Sequence, residues 1–183
     1  MTSLGHTLFD TAIGVCGLAW GAHGITAVQL PEPDTDATRA RLLKSAGDCP
    51  EVTDLPDAVR AAITGIQALL RGEHRQLLEL EFVLERLTPF QRRAYAIARA
   101  IPPGQTRTYG EVAQELGDPD LARAVGQAMG RNPFAPVVPC HRVLAAGLKP
   151  GGFSASGGAL TKLRMLAIEG AVPGGTPSLF DDL

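Results

Sequence analysis

The sequence predicts an α+β chain of two domains: a small N-terminal α/β domain over residues 1–85, a mainly helical domain over 86–170, and a short tail at 171–183, expected to be disordered. Three observations carry this reading. The first thirty residues alternate β-prone runs with tight turns. From residue 86 the apolar spacing becomes helical and is punctuated by caps. The charge changes sign at the same place, with 6 Arg+Lys against 12 Asp+Glu in residues 1–85 and 11 against 5 in residues 86–170. A basic half on a chain of net charge −2 suits a polyanionic partner for that half. Scattered solvated arginine explains the charge equally well when charge is taken alone.

Composition narrows the class. With 45% apolar and 20% charged residues in 183, the chain reads as globular and long enough for a core without disulfides or metal. No apolar run reaches membrane-spanning length, and no basic segment precedes an apolar one at the start, so a leader is not expected. The three cysteines, Cys16, Cys49 and Cys140, are odd in number and irregularly spaced. A disulfide framework is therefore not expected, and a reducing, cytoplasmic setting is.

The elements follow in order. Thr7–Asp10, Gly14–Trp20 and Ile25–Leu30 read as strands separated by turns at 11–13 and 21–24. Pro31–Asp36 is acidic and proline-bearing and reads as a loop. Thr38–Ser45 and Asp57–Leu70 read as helices, the second with Val59, Ile63, Ile66 and Leu70 near a 3.6-residue period. Leu78–Leu84 alternates like a strand. Thr88-Pro89 is an N-cap with proline at the first helical position, for a helix reaching about Ala100. Thr108 and Glu111 fit a capping box for a helix through Leu116, closed by Gly117. Asp118-Pro119 starts a helix to about Met129. Two short helices joined by a glycine-containing turn form a helix-turn-helix pattern. The second carries Arg123 among the small residues Ala122, Ala124 and Gly126, which permit close approach either to a neighbouring helix or to another molecule. Residues 132–158 are loop-rich. Thr161–Glu169 is helical, with Leu163, Leu166 and Ala167 on one face.

Cys140 is the candidate nucleophile. A lone cysteine is ordinarily a small core residue, the reading that fits Cys16 and Cys49. Cys140 instead lies in Pro139-Cys140-His141-Arg142-Val143, where nearby cations favour the thiolate and a histidine can take its proton. Adjacent residues point apart, so a bridging water is expected between Cys140 and His141. His141 needs an orienting acceptor. Glu169, ending an otherwise apolar helix, is the candidate. These three residues alone fit a thiol hydrolase as well as any other chemistry.

The surrounding residues separate those readings. Arg123-Ala124-Val125-Gly126, Asn132-Pro133, Pro139–Val143, Ser156-Gly157-Gly158, Lys162 and Glu169-Gly170 closely resemble the O6-alkylguanine-DNA alkyltransferase family. So do Thr88-Pro89-Phe90-Gln91, Ile101–Gly104 and Thr108-Tyr109-Gly110-Glu111, and the resemblance thus covers 86–170 almost continuously. Residues 1–85 resemble the family's N-terminal domain only loosely. The resemblance implies a ribonuclease H-like N-terminal domain and a winged helix-turn-helix-like alkyltransferase domain.

The resemblance also implies a function. The chain would bind double-stranded DNA in the minor groove, flip an O6-alkylguanine out of the stack, and transfer its alkyl group irreversibly to Cys140. Alkylated thymine is a further expected substrate. The role implied for Arg123 is the finger that fills the gap, and for Tyr109 the residue that crowds the flipped nucleotide's phosphate and meets the base. Ala122, Ala124 and Gly126 would approach the groove. Asn132 would tie the recognition helix to the site. Ser156, two residues after Ser154 in a loop slightly longer than in shorter relatives, would hydrogen-bond the guanine oxygen, and the carbonyls of Cys140 and Val143 would read its amine. Lys162 and Arg142 are expected to be structural or phosphate-facing. No cofactor is implied, since the lesion is the donor, and a monomer near the nucleoid suffices. Some relatives hold zinc; here His6, His23, His74, Cys16 and Cys49 lack zinc-like spacing, and no metal is expected. Ala94-Tyr95 replaces a common tryptophan, a packing change. Rival readings are a non-catalytic lesion-flagging relative, which would lack the cysteine, and a winged-helix regulator. The tail segment Ser178-Leu179-Phe180 is similar to peptides that dock on bacterial sliding clamps.

Overall fold

The computed structural model describes residues 3–171, so the tail segment 177–183 lies outside the described residues. Three antiparallel strands, β1 (Gly5–Thr11), β2 (Gly14–Gly21) and β3 (Gly24–Gln29), form a meander. Its faces are sorted by the strand period and one irregularity. Leu18 pairs with Val28 and Ala19 with Ala27, but Trp20 then pairs with Ile25, so the register shifts at a bulge. The shift keeps Ile25 and Val28 on the same face as Cys16, Leu18 and Trp20, inside the main core. Ala19 and Ala27 point to the other face, against Leu42 and Ala46 of α1 (Thr35–Ala46).

Both margins of the sheet are met by irregular chain. On the β1 side the His6 N–H donates to the Pro50 carbonyl (2.9 Å) and the Val52 N–H to the His6 carbonyl (2.9 Å). On the β3 side the Ile25 N–H donates to Glu81 (3.0 Å) and the Val28 N–H to Pro133 (2.8 Å).

Helix α1 begins at Thr35 because the Asp34 side chain accepts the Ala37 N–H. The loop expected at Pro31–Asp36 is therefore shorter than the composition suggested. Helix α2 (Asp57–Leu70) buries Val59, Ile63, Ile66 and Leu70 as its period predicts. The expected strand at Leu78–Leu84 is absent and is corrected to a loop with one bridge, Ile25 to Phe82. Here the carbonyls turn toward a cation. The Arg99 guanidinium donates to those of Leu77, Leu78 and Leu80 (2.8, 2.9 and 3.0 Å) and sits 4.9 Å over the Phe82 ring. A chain wrapped around a guanidinium cannot also run a ladder, and Leu78 and Leu84 are left exposed.

In the second half, α3 (Pro89–Ala100) and α4 (Tyr109–Glu115) both open with complete capping boxes, Thr88/Gln91 and Thr108/Glu111. Tyr95 of α3 is buried, and its hydroxyl donates to the Ala128 carbonyl at 2.9 Å. Gly117, at φ 100°, closes α4 where a side chain would be strained. The helix expected from Asp118 to Met129 divides in two. Asp118 accepts the Asp120 N–H with its side chain and the Leu121 N–H with its carbonyl, closing a 3-10 turn at Pro119–Leu121. Helix α5 (Ala122–Gly130) follows. Helix α6 (Ala159–Ile168) buries Lys162, Met165 and Leu166, which corrects the expected face, because Leu163 and Ala167 are exposed. One apolar cluster runs through both halves of the chain, from Cys16 to Met165. Phe82 and Phe134 meet within it with ring centroids 4.6 Å apart.

Candidate active site

Cys140 opens a one-turn 3-10 helix, Cys140–Arg142, which leads directly into β5 (Val143–Leu144). β5 pairs in parallel with β4 (Arg107–Thr108), the two residues before α4. This short pairing, which the sequence did not announce, brings Tyr109 at the start of α4 beside the cysteine turn.

The turn is held by a buried ionic cluster. His141, Arg142 and Glu169 are all nearly inaccessible to solvent. Arg142 donates through Nε to Glu169 Oε2 (2.9 Å) and through Nη2 to Oε1 (2.8 Å), a forked pair, while Nη1 donates to the Ile101 carbonyl (2.7 Å). One guanidinium thus ties together the ends of α3 and α6 and the cysteine turn. Glu169 sits at the C-terminus of α6, where the helix dipole disfavours an anion. Burial also works against its charge. Hydrogen bonds from His141 and Arg142 and the positive field of Arg142 outweigh both and hold the carboxyl down at about 2.

His141 bonds Glu169 Oε1 through Nε2 at 2.8 Å. Because that oxygen belongs to an ionised carboxylate, Nε2 carries the proton and Nδ1 keeps its lone pair. Nδ1 is buried and has no hydrogen-bond partner among the described residues. Burial lowers the imidazole pKa more than Glu169 raises it, so the ring is neutral and competent as a base.

The thiol differs from expectation. Burial dominates and pushes Cys140 up, against the opposing pulls of the Asn132 side chain and the Lys162 ammonium. The resting group is a thiol that must be deprotonated when it reacts, and the neighbouring cation is Lys162 rather than Arg142, whose charge is absorbed by Glu169. Lys162 is fully buried, with Nζ donating to the Val143 carbonyl (2.6 Å) and lying 5.7 Å from the Tyr109 ring centre and 5.9 Å from that of Phe153. Burial lowers its pKa to about 8, with Cys140 opposing. Of the two expectations for Arg142 and Lys162, structural or phosphate-facing, their burial fits the first.

Asn132 spans the gap between α5 and the turn. Its Nδ2 donates to the Val138 carbonyl (2.7 Å) and its Oδ1 accepts the Phe134 N–H (2.9 Å). Asn132, Cys140, Phe153, Ser154 and Ala155 border a cavity of about 200 Å³. Ser154 thus stands on the cavity wall. Ser156 does not border it, and its carbonyl accepts the Thr161 hydroxyl. Tyr109 is half-buried, and burial raises its pKa, with Cys140 adding to the rise. Gly126 of α5 lies against its ring, and a Cβ built there would sit 3.8 Å from it. Gly151, at φ 65°, passes so close to the Tyr109 hydroxyl that a Cβ would meet it at 3.2 Å. Ala122 and Ala124 are half-buried on α5, and Arg123 is exposed between them.

The structure brings Cys140, His141, Glu169, Asn132 and Tyr109 together. The sequence did not reveal the Arg142 fork onto Glu169 or the Lys162 ammonium beneath Tyr109. Cys16, pushed up to about 12 by burial, lies in the core. Among the described residues no group of three or more His, Cys, Asp or Glu side chains is placed to hold a metal.

Comparison with known proteins gives consistent results. Residues 89–171 match the family described as 6-O-methylguanine DNA methyltransferase, DNA binding domain. The chain is 42% identical over 130 residues to a methylated-DNA–protein-cysteine methyltransferase of Mycolicibacterium paratuberculosis, covering 70% of this chain and 76% of that one. A protein of the same name from Mycobacterium bovis is 35% identical over 96% of this chain and 98% of its own. Among solved structures, Mycobacterium tuberculosis OGT in complex with DNA superposes with a TM-score of 0.73 at 34% identity, covering 91% of this chain and 93% of that one.

Proposed function

The chain belongs to the methylated-DNA–protein-cysteine methyltransferase family, and from that premise we propose that it repairs DNA by moving the alkyl group of O6-alkylguanine onto Cys140. One observation carries the reading. The Cys140 thiol borders a cavity on a turn whose next residue, His141, is held by Glu169 with its Nδ1 lone pair free.

The chemistry is a direct displacement. Nδ1 of His141 takes the thiol proton through a bridging water, while Glu169 fixes the imidazole tautomer and favours the imidazolium as it forms. Sγ attacks the alkyl carbon, the carbon–O6 bond breaks, and guanine leaves with a proton. The Lys162 ammonium favours the transient thiolate that burial otherwise resists. A thioether is a poor leaving group, so each molecule acts once. No cofactor enters this scheme.

DNA recognition belongs to the α4–α5 pair, acting as the helix-turn-helix of a winged domain at 86–170 behind a ribonuclease H-like domain at 1–85. The half-buried Ala122, Ala124 and Gly126 allow α5 to approach the minor groove, where readout depends little on sequence. Arg123 enters the stack as the damaged nucleotide swings out past Tyr109. Asn132, the Val143 carbonyl and Ser156 then meet the base, with Ser154 the rival serine because it stands on the cavity wall. Alkylated thymine is a secondary substrate. The protein acts as a monomer on cytoplasmic, nucleoid DNA. Its tail contact with a sliding clamp rests on residues outside the described structure.

Weighing the protein after incubation with O6-methylguanine duplex tests the core of this. One added methyl on Cys140, absent from Cys140→Ala, is the expected result. Unchanged mass with tight binding sinks it in favour of a lesion-flagging protein.

A further inference from the structure

Only a packing change was expected at Tyr95, and its ring is indeed buried in the main core. The hydroxyl adds a directed contact. It donates to the carbonyl of Ala128, in the last turn of α5, at 2.9 Å. Burial raises the pKa of the phenol, with Cys140 adding to the rise, so at neutral pH the group keeps its proton and donates. In an uninterrupted helix the Ala128 carbonyl would take the Asn132 N–H as the next step of the ladder. Here that N–H goes to Met129 (3.3 Å), and Ala128 accepts the Arg131 N–H (3.2 Å) together with the Tyr95 hydroxyl. The phenol thus takes the place of the next helical hydrogen bond, at the point where α5 stops. Asn132, outside the ladder, reaches the other way. Its Nδ2 donates to the Val138 carbonyl (2.7 Å), which also accepts the Cys140 N–H (2.8 Å).

Helix α3 holds the companion helix in a similar manner. Arg93 donates through Nη2 to the carbonyl of Leu116, the C-cap of α4, at 2.7 Å. The carbonyl of Ile101, the C-cap of α3 itself, accepts Arg142 from the cysteine turn. One helix is therefore tied to both members of the α4–α5 pair and to the turn that carries the thiol. The other holds on that turn do not pass through α5. Glu169 grips His141 and Arg142, and Lys162 meets the Val143 carbonyl.

Resting on the reading of Cys140 as alkyl acceptor and α5 as the helix that meets DNA, we propose that Tyr95 is a positioning residue for transfer from duplex DNA. Its hydroxyl fixes the end of α5 against α3 and so sets the register between a nucleotide delivered along α5 and the Cys140 thiol. Tyr95 lies on the DNA side of the joint that Asn132 makes. Without the hydroxyl the thiol stays as reactive as before, while the bound duplex presents its alkyl carbon out of line. A displacement needs sulfur, carbon and the leaving oxygen aligned, so a small shift of α5 is felt in the rate of the bound complex. Affinity depends on the outer face of α5, around the exposed Arg123, which the phenol does not touch.

Tyr95→Phe removes one oxygen and keeps the ring. Single-turnover methyl transfer from an O6-methylguanine duplex is followed over a range of duplex concentrations. Alkylation of Cys140 by iodoacetamide, which needs no DNA, is followed in parallel, both reactions read as mass gained on the peptide that holds Cys140. The amplitude of duplex transfer and the slow phase of iodoacetamide labelling count folded molecules alone, so an unfolded fraction enters neither rate. The maximal duplex rate is expected to fall about tenfold, the scale of one lost buried hydrogen bond, with the half-saturating duplex concentration and the iodoacetamide rate unchanged. A contact that only stabilises the fold moves none of these three quantities. An unchanged maximal rate, a change confined to the half-saturating concentration, or an equal fall in both reactions overturns the positioning role and leaves the alkyl-acceptor reading standing. A wild type that binds the duplex and takes up no methyl overturns that reading and the role of Tyr95 with it.

Discussion

Arg142 and Arg123 lie nineteen positions apart in the numbering, and the fold treats them in opposite ways. Arg142 is buried and spends its donors on both oxygens of Glu169 and on a backbone carbonyl. Arg123 is exposed on α5, flanked by alanines, and bonds to no described residue. The difference separates two uses of one side chain. A guanidinium that holds geometry is saturated and kept from water. One that is to meet a polyanion is left with its donors free. On the proposed function, the Cys140 turn is thus organised before any ligand arrives, while the face that carries Arg123 keeps its donors free for DNA.

That contrast can be broken at either end. Arg142→Ala leaves the buried Glu169 carboxylate without its fork and should cost about 3–5 kcal/mol of stability. Arg142→Lys should recover little, since a point charge cannot reproduce two parallel bonds. Denaturant unfolding decides, and a loss below about 1 kcal/mol ends the idea that this pair is the clamp. His141→Gln removes the proposed base and should slow methyl transfer by about a hundredfold or more at neutral pH in single-turnover assays. A rate near wild type would mean that the thiol ionises by another route.

A pH measurement sharpens the same end. The Glu169 carboxyl is held at about 2 in the fold against an ordinary 4.5. Its folded value is the lower one, so the unfolded chain takes up the proton first as acid is added. The stabilisation is full above about 4.5 and is lost as pH falls toward 2. Glu169→Gln should flatten the stability profile in that window; an unchanged slope contradicts the pairing. The smallest stability effect is expected at the other end. Arg123→Ala should shift stability by no more than about 0.5 kcal/mol, while slowing transfer from duplex DNA and sparing transfer from the free modified base. Equal slowing on both substrates would remove Arg123 from DNA recognition.

Much of this arrangement was legible in the chain. Caps, a proline at the first position of a helix and a closing glycine are local devices, so α3 and α4 could be read directly. Cys140 and His141 are adjacent, and a carboxylate ending an apolar helix marks itself, so the Glu169 pairing could be named. Other features depended on what sequence spacing does not encode. The direction of Arg142 is set by the 3-10 turn beneath it. The Leu78–Leu84 alternation was real, yet Arg99 took the carbonyls that a strand would have used. Leu163 fitted the apolar face of α6 on hydropathy, but the buried position went to Lys162, whose ammonium finds the Val143 carbonyl. Arg41 reaches Ser154 across 113 residues, beyond the reach of any local rule.

The two occupied margins of the small sheet have a consequence of another kind. A strand with bare amides and carbonyls invites a second chain to pair with it, the first step of aggregation. Here the Pro50–Val52 segment covers β1, while Glu81–Val83 and Pro133 cover β3, each through only one or two main-chain bonds. On the proposed function each molecule is consumed by its own reaction and must be replaced by new synthesis, and newly made chains are the population most exposed to such mispairing. The segment that holds Asn132 and leads to the Cys140 turn therefore also closes, through Pro133, one part of the β3 margin.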